Sequence, residues 1–138
     1  MILDATNQIL GRLASFAAKH ALLGEEISII NCENAAVSGN KSTTLDIYAH
    51  SLDRGSKAKG PFVYRRPDAI VKRTIKGMLP SSKDSGKKAL KRIRCYIGVP
   101  DNFKGKQAEK LKGMDISKLS IMKYTTVKEI CIRLGGKL

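Results

Sequence analysis

A strand, a helix and a second strand follow one another within about thirty residues at the start of the chain, and no other feature limits its possible folds as sharply. Ile2-Leu3-Asp4-Ala5 is a short apolar run, followed by Thr6 and Asn7, whose side-chain oxygens suit a helix cap. From Leu10 onward, Leu10, Leu13, Ala14, Ala17 and Ala21 fall on one helical face, while Arg12, Ser15 and Lys19 fall on another. Gly24 supplies a left-handed stop, and Glu26-Ile27-Ser28-Ile29-Ile30-Asn31 resumes as a strand rich in β-branched residues. Two strands joined by one helix predict a right-handed βαβ unit, hence a parallel sheet covered by helices and an α/β fold.

The pattern continues less regularly. Val37-Ser38-Gly39-Asn40 reads as a turn, with Asn40 capping a helix over 41–52 whose inner face carries Leu45, Tyr48, Ala49 and Leu52. Residues 53–67 have no apolar period and read as a long loop, a kind of segment that is usually functional or ordered by a partner. Asp68 is expected to cap a third helix that Pro80 ends, with Val71, Ile75, Met78 and Leu79 as its stripe. A short fourth helix starts at Asp84-Ser85 and turns Leu90 and Ile93 inward; Arg94-Cys95-Tyr96-Ile97-Gly98-Val99 is expected to be a third strand. Residues 101–118 read as a polar connector, and 119–124 as a fourth strand or irregular chain. Thr126 and Glu129 match a capping box, so Val127, Ile130, Cys131 and Leu134 predict a last helix.

With 138 residues, 42% of them hydrophobic, the chain is expected to form one domain around one core. No stretch approaches the roughly 18 apolar residues of a membrane span, and no charged leader opens the sequence, so a soluble, cytoplasmic protein is expected. Cys32, Cys95 and Cys131 are odd in number and include no C-x-x-C pair, which predicts reduced core thiols rather than disulfides or a zinc site.

Catalytic motifs fare poorly. The turn after the first strand holds one glycine, Gly11, where a dinucleotide fingerprint needs three. Before Lys41-Ser42, Asn34 occupies the first glycine position of a P-loop and Asn40 separates Gly39 from the lysine. The Gly39-Asn40-Lys41 turn is left with two readings, a plain helix cap or a cradle for an RNA phosphate on its backbone amides. His20 and His50 lie within expected helices without a nucleophile nearby, and Asp4 has a structural reading as a strand-end carboxylate. No enzyme activity, metal, cofactor or small-molecule substrate is expected.

Charge points elsewhere. The whole chain carries +14, yet residues 1–53 hold three basic and six acidic side chains, whereas residues 54–94 hold fourteen basic and two acidic. Cations this poor in acidic neighbours need an external anion, and a polynucleotide is the commonest. The candidates are Arg54, Lys57, Lys59, Arg65 and Arg66 in the loop, Lys72, Arg73 and Lys76 on the third helix, and Lys83, Lys87, Lys88, Lys91 and Arg92 on or beside the fourth, with Asn40 and Lys41 at the glycine turn. Aromatic residues make up 5% of the chain and tryptophan is absent, so phosphate and sugar contacts are expected in preference to base stacking.

Several stretches carry a resemblance. Asp4-Ala-Thr-Asn-Gln-Ile-Leu-Gly-Arg-Leu-Ala-Ser15, Val37-Ser-Gly-Asn-Lys41, Gly60-Pro-Phe-Val-Tyr-Arg-Arg-Pro-Asp68, Arg73-Thr-Ile-Lys-Gly-Met-Leu-Pro80 and Tyr96-Ile-Gly-Val-Pro100 resemble, in order and spacing, the thirteenth large-subunit ribosomal protein family. The likeness is greatest to archaeal members, since the chain lacks both the His-Pro-His segment of bacterial relatives and the long carboxy-terminal extension of eukaryotic ones. It implies a three-layer αβα fold on a four-stranded, mainly parallel sheet with a basic loop-and-helix insertion. It also implies a non-catalytic place in the large subunit beside 23S-type ribosomal RNA and other ribosomal proteins, with Arg65, Arg66, Arg73 and Lys76 facing RNA. Two rivals follow from the residues alone: a nucleotide-dependent or RNA-modifying enzyme, and a general nucleic-acid-binding protein.

Overall fold

The computed structural model describes residues 1–56 and 58–136. The expected opening is present: β1 (Ile2–Asp4), α1 (Leu10–Leu22) and β2 (Ile27–Ile30) form a strand–helix–strand unit with β1 and β2 parallel, Leu3 facing Ile29 across the ladder. β4 (Ile93–Cys95) pairs parallel with the other edge of β2, giving the order β1-β2-β4. Between β2 and β4 come β3 (Ala36–Ser38), α2 (Lys41–His50), α3 (Pro67–Met78) and α4 (Asp84–Arg92). The described chain closes with β5 (Tyr124–Thr126) and α5 (Val127–Arg133).

Apolar periodicity decides which side of each element faces inward. Leu3, Ile27, Ile29 and Ile93 share one face of the sheet and join Leu13, Ala14, Ala17, Val71, Ile75, Ala89, Val127, Ile130 and Cys131 in a single buried cluster. Each Leu or Ile so removed from water contributes roughly 1.5–3 kcal/mol before entropy is counted. The alternate row of the sheet is more open at one end: Ile2 and Ser28 are half-buried and Arg94 is exposed, while Ile30 at the other end is buried.

Two expectations are corrected here. Among the described residues the parallel sheet has three strands, so the expected fourth strand is not formed there. The reason lies in residues 101–124. Only Glu109 bridges the free edge of β1, its N–H donating to the Ile2 carbonyl and its carbonyl accepting from the Asp4 N–H. Further on, Ile116–Lys118 coils into a 3-10 turn, and Tyr124 joins β5, which pairs antiparallel with β3 in a separate ladder. That ladder also revises the turn expected at Val37-Ser38, since both residues are strand.

Capping differs as well. Thr6 donates its hydroxyl to Asp4 Oδ1, and Asn7 takes a left-handed φ of 60°, so α1 starts from Ile9 with no side-chain cap. α2 starts after Asn40, again uncapped by a side chain, and stops at His50 rather than at 52. Asp68 lies within the first turn of α3, where Pro67 opens the helix with its preset φ. The capping box of α5 forms as expected: Thr126 accepts from the Glu129 N–H and the Glu129 carboxylate accepts from the Thr126 N–H.

Candidate nucleic-acid interface

The apolar stripe of α3 fixes where its cations point. Ile70, Val71 and Ile75 are buried, with Leu79 just beyond, so Lys72 and Lys76, one turn apart, lie on the outer side beside Arg73. α4 repeats the device: Gly86 and Ala89 face inward, leaving Lys87, Lys88 and Lys91 outside. Gly86 sets the approach of the two helices, because a Cβ on it would stand 2.2 Å from the Pro80 carbonyl oxygen. The result is a cleft of about 500 Å³ between the helices, lined by Lys72 and Lys76 from one side and Lys87 and Lys91 from the other, with Ser81 at its end.

Few of these charges are matched from within. Among the described residues Lys87 reaches Asp84 at 3.5 Å, both side chains exposed, while Lys72, Lys76, Lys83, Lys88 and Lys91 have no carboxylate within ion-pair distance. An exposed pair of that kind is worth little. Arg54, Lys59 and Arg65 are also exposed and unmatched among the described residues. Lys57 lies outside the described residues.

Other candidates are occupied. Arg66 donates through Nη2 to Asp68 Oδ2 at 3.0 Å. Lys41 donates to Glu129 at 2.6 Å, and that contact, ahead of the capping-box bonds, holds the Glu129 carboxyl below the usual range. Asn40 is exposed and accepts from the Ser42 hydroxyl at 3.4 Å, so the glycine turn is tied to its own helix. Arg92 is the clearest correction. It was expected to face outward, but it is half-buried and donates to the Ala21 carbonyl at 3.1 Å, completing the last turn of α1.

Sequence reasoning also passed over three residues. Arg94 is exposed and lines a shallow cleft with Lys72, Asp68 and Tyr96. Its alternation with buried Ile93 was the available signal. Phe62 and Tyr64 are 71% and 50% exposed, and the Arg73 guanidinium lies 5.5 Å from the centre of the Tyr64 ring. Counting aromatics hid where they stand.

The positions where an α/β enzyme builds its site are filled from within. Asp4, at the carboxyl end of β1, accepts from the Thr6 N–H at 3.0 Å, the Thr6 hydroxyl at 2.7 Å and Asn31 Nδ2 at 2.9 Å, and Lys110 lies 3.6 Å from its other oxygen. Burial alone would raise its pKa; these hydrogen bonds and the lysine outweigh it and hold the carboxyl below its ordinary value. Cys32 is buried, donates its thiol to the Ile29 carbonyl at 3.6 Å, and is pushed well up by the neighbouring Cys95 thiol and by burial, while burial pushes Cys131 up to about 11, so both are protonated at neutral pH. His20 bonds Glu25 through Nδ1 at 2.9 Å and stacks on Phe16. Among the described residues no cluster of His, Cys, Asp and Glu has metal-binding geometry, and no helix is long and apolar enough to cross a membrane.

Comparison with known proteins finds relatives along nearly the whole chain. Residues 1–102 match the family model described as ribosomal protein L13. The chain is 41% identical over 136 residues to a protein of Methanococcoides burtonii named large ribosomal subunit protein uL13, covering 99% of this chain and 98% of the relative. Proteins of the same name from Methanosarcina barkeri and Archaeoglobus fulgidus are 43% and 42% identical, over 99% and 97% of this chain and 98% and 86% of theirs.

Proposed function

The chain belongs to the ribosomal protein L13 family in its archaeal form, and on that premise we propose that this structural, non-catalytic constituent of the large ribosomal subunit grips the subunit's 23S-type RNA through the cationic cleft between α3 and α4. It works in the cytoplasmic ribosome among other ribosomal proteins. The whole chain acts as one folded unit, with residues 54–94 as its RNA-binding segment.

One observation carries the reading: Lys72, Lys76, Lys87 and Lys91 converge on a single cleft, and among the described residues only Lys87 has an acidic partner. Four lysines along one hollow repel one another, and an entering anion relieves that repulsion. A phosphate backbone supplies closely spaced negative charges and releases its counterions on binding. Arg54, Lys59, Arg65, Lys83, Lys88 and Arg94 extend the same field and add contacts at its margins. Lys41, Arg66 and Arg92 already hold partners within the protein and have a weaker claim on phosphate, while the backbone amides after Asn40 stay a candidate cradle.

The test is filter binding of the full chain to large-subunit RNA fragments between about 50 and 200 mM salt, where each phosphate neutralised contributes a log-log slope of about −0.7 to −0.9. Lys72→Ala with Lys76→Ala is expected to weaken binding and make the slope shallower by about 1.5, with an unfolding midpoint no lower than that of the wild type. Binding indifferent to salt, or equally tight to random duplex DNA, would falsify the proposal.

A further inference from the structure

Across α3 from the lysine cleft lies a second hollow of about 480 Å³, and its walls are of another kind. Tyr48, Phe62 and Tyr64 line it together with Arg54, Arg73 and Gly77, and no carboxylate does. Large rings normally go to the core, because each removes a large apolar area from water. This chain has three Phe and four Tyr, yet Phe62 and Tyr64 stand mostly in solvent beside arginines. Tyr64, Arg73 and Gly77 also line a third hollow, of about 620 Å³, together with Lys72 and Lys76, so it bridges the aromatic hollow and the lysine cleft.

Gly77 adds a separate observation. Its backbone is helical, and a Cβ placed on it would meet no atom within 4 Å. Alanine would strengthen the helix there. None of the described residues needs a bare backbone at that spot, and a strand passing outside would use the clearance.

Phosphates and ribose gain little from aromatic walls, whereas a nucleobase stacks on them whatever its sequence. We propose that one nucleotide of the bound RNA turns out of its helix and lodges its base in this hollow, against Phe62 and Tyr64, with Arg54 and Arg73 holding the flanking phosphates and Gly77 giving clearance for the strand. The inference rests on the RNA-binding reading above and adds an unstacked base to what was a contact with sugar and phosphate alone. The alternative occupant, an apolar side chain of a neighbouring protein, has no use for two arginines at the rim.

The test measures the affinity of the full chain for large-subunit RNA fragments together with its salt slope. Phe62→Ala and Tyr64→Ala are each expected to weaken binding roughly tenfold while leaving the slope unchanged, and Tyr64→Phe to bind normally. Gly77→Leu, which fills the clearance, is expected to weaken binding at an undiminished unfolding midpoint. If the ring variants bind like the wild type while Lys72→Ala with Lys76→Ala does not, the base pocket is wrong and RNA binding through phosphates stands. If the ring variants keep RNA affinity but are lost from purified subunits at high salt, a protein fills the hollow and the proposal is overturned. Absence of salt-dependent RNA binding in the wild type removes the premise instead. Should Phe62→Ala lower the midpoint, Phe62→Leu decides: normal affinity with restored stability counts against stacking.

Discussion

The carboxylate of Asp4 stands at the end of a parallel strand, a place that in α/β enzymes often faces a ligand. Here it gathers three hydrogen bonds from Thr6 and Asn31, and so holds Asn31 in its left-handed conformation at φ 54°. Asp4→Ala leaves those donors unmatched and is expected to destabilise by about 1–3 kcal/mol in denaturant unfolding. The pH dependence has a definite sign. The folded pKa is depressed, so the stabilisation is complete above the unfolded value of about 3.9 and is lost as pH falls through the folded one. The stability gap between wild type and Asp4→Asn should therefore hold from neutral pH down to about pH 4 and close below it. At this scale the sequence was only partly legible. Lys41 and Arg92 looked like free cations because their partners, Glu129 and the Ala21 carbonyl, are distant along the chain. A charge count sees only neighbours in sequence.

At the scale of elements, glycines separate structure from function. Gly86 is buried at the foot of α4, and Gly86→Ala would press a methyl against the Pro80 carbonyl, so it is expected to lower stability by about 1–3 kcal/mol and shift α4 away from α3. Gly77→Ala meets open space and should raise the thermal midpoint of the free protein, by at most about 1 kcal/mol of stability. Differential scanning calorimetry of both variants checks the pair. The helices were readable because each carries its own apolar stripe: α1 and α5 bury the residues that their spacing marks, whereas in α3 the marked Met78 is exposed, and in α4 the marked Leu90 is half-buried while Gly86 and Ala89 take the core. β3 was not, since three residues carry too short an alternation, and its partner β5 lies at the other end of the chain. The same long-range pairing takes Tyr124 into β5, and 119–123 follow the irregular alternative of the two readings.

For the whole molecule, +14 of net charge and a cluster of unmatched lysines mean self-repulsion in the free state. Added salt shortens the reach of that repulsion to about 10 Å at 0.1 M. The thermal midpoint of the free protein is expected to rise between low and moderate salt while RNA affinity falls, two opposite responses to one variable. A midpoint that falls with salt would mean that the internal ion pairs outweigh the repulsion. The placement of charge along the chain was plain in the sequence; its gathering into one cleft required Gly86 and the turn at Pro80. The ladder of β3 with β5 has one more consequence, in time rather than space. A chain made from its amino end cannot close that ladder until Thr126 has been synthesised, so residues 54–94 emerge with their cations displayed while the fold is still open at its seam. During that interval the nascent protein is a polycation without its final shape, and prompt shielding of those lysines is a requirement of its birth as much as of its work.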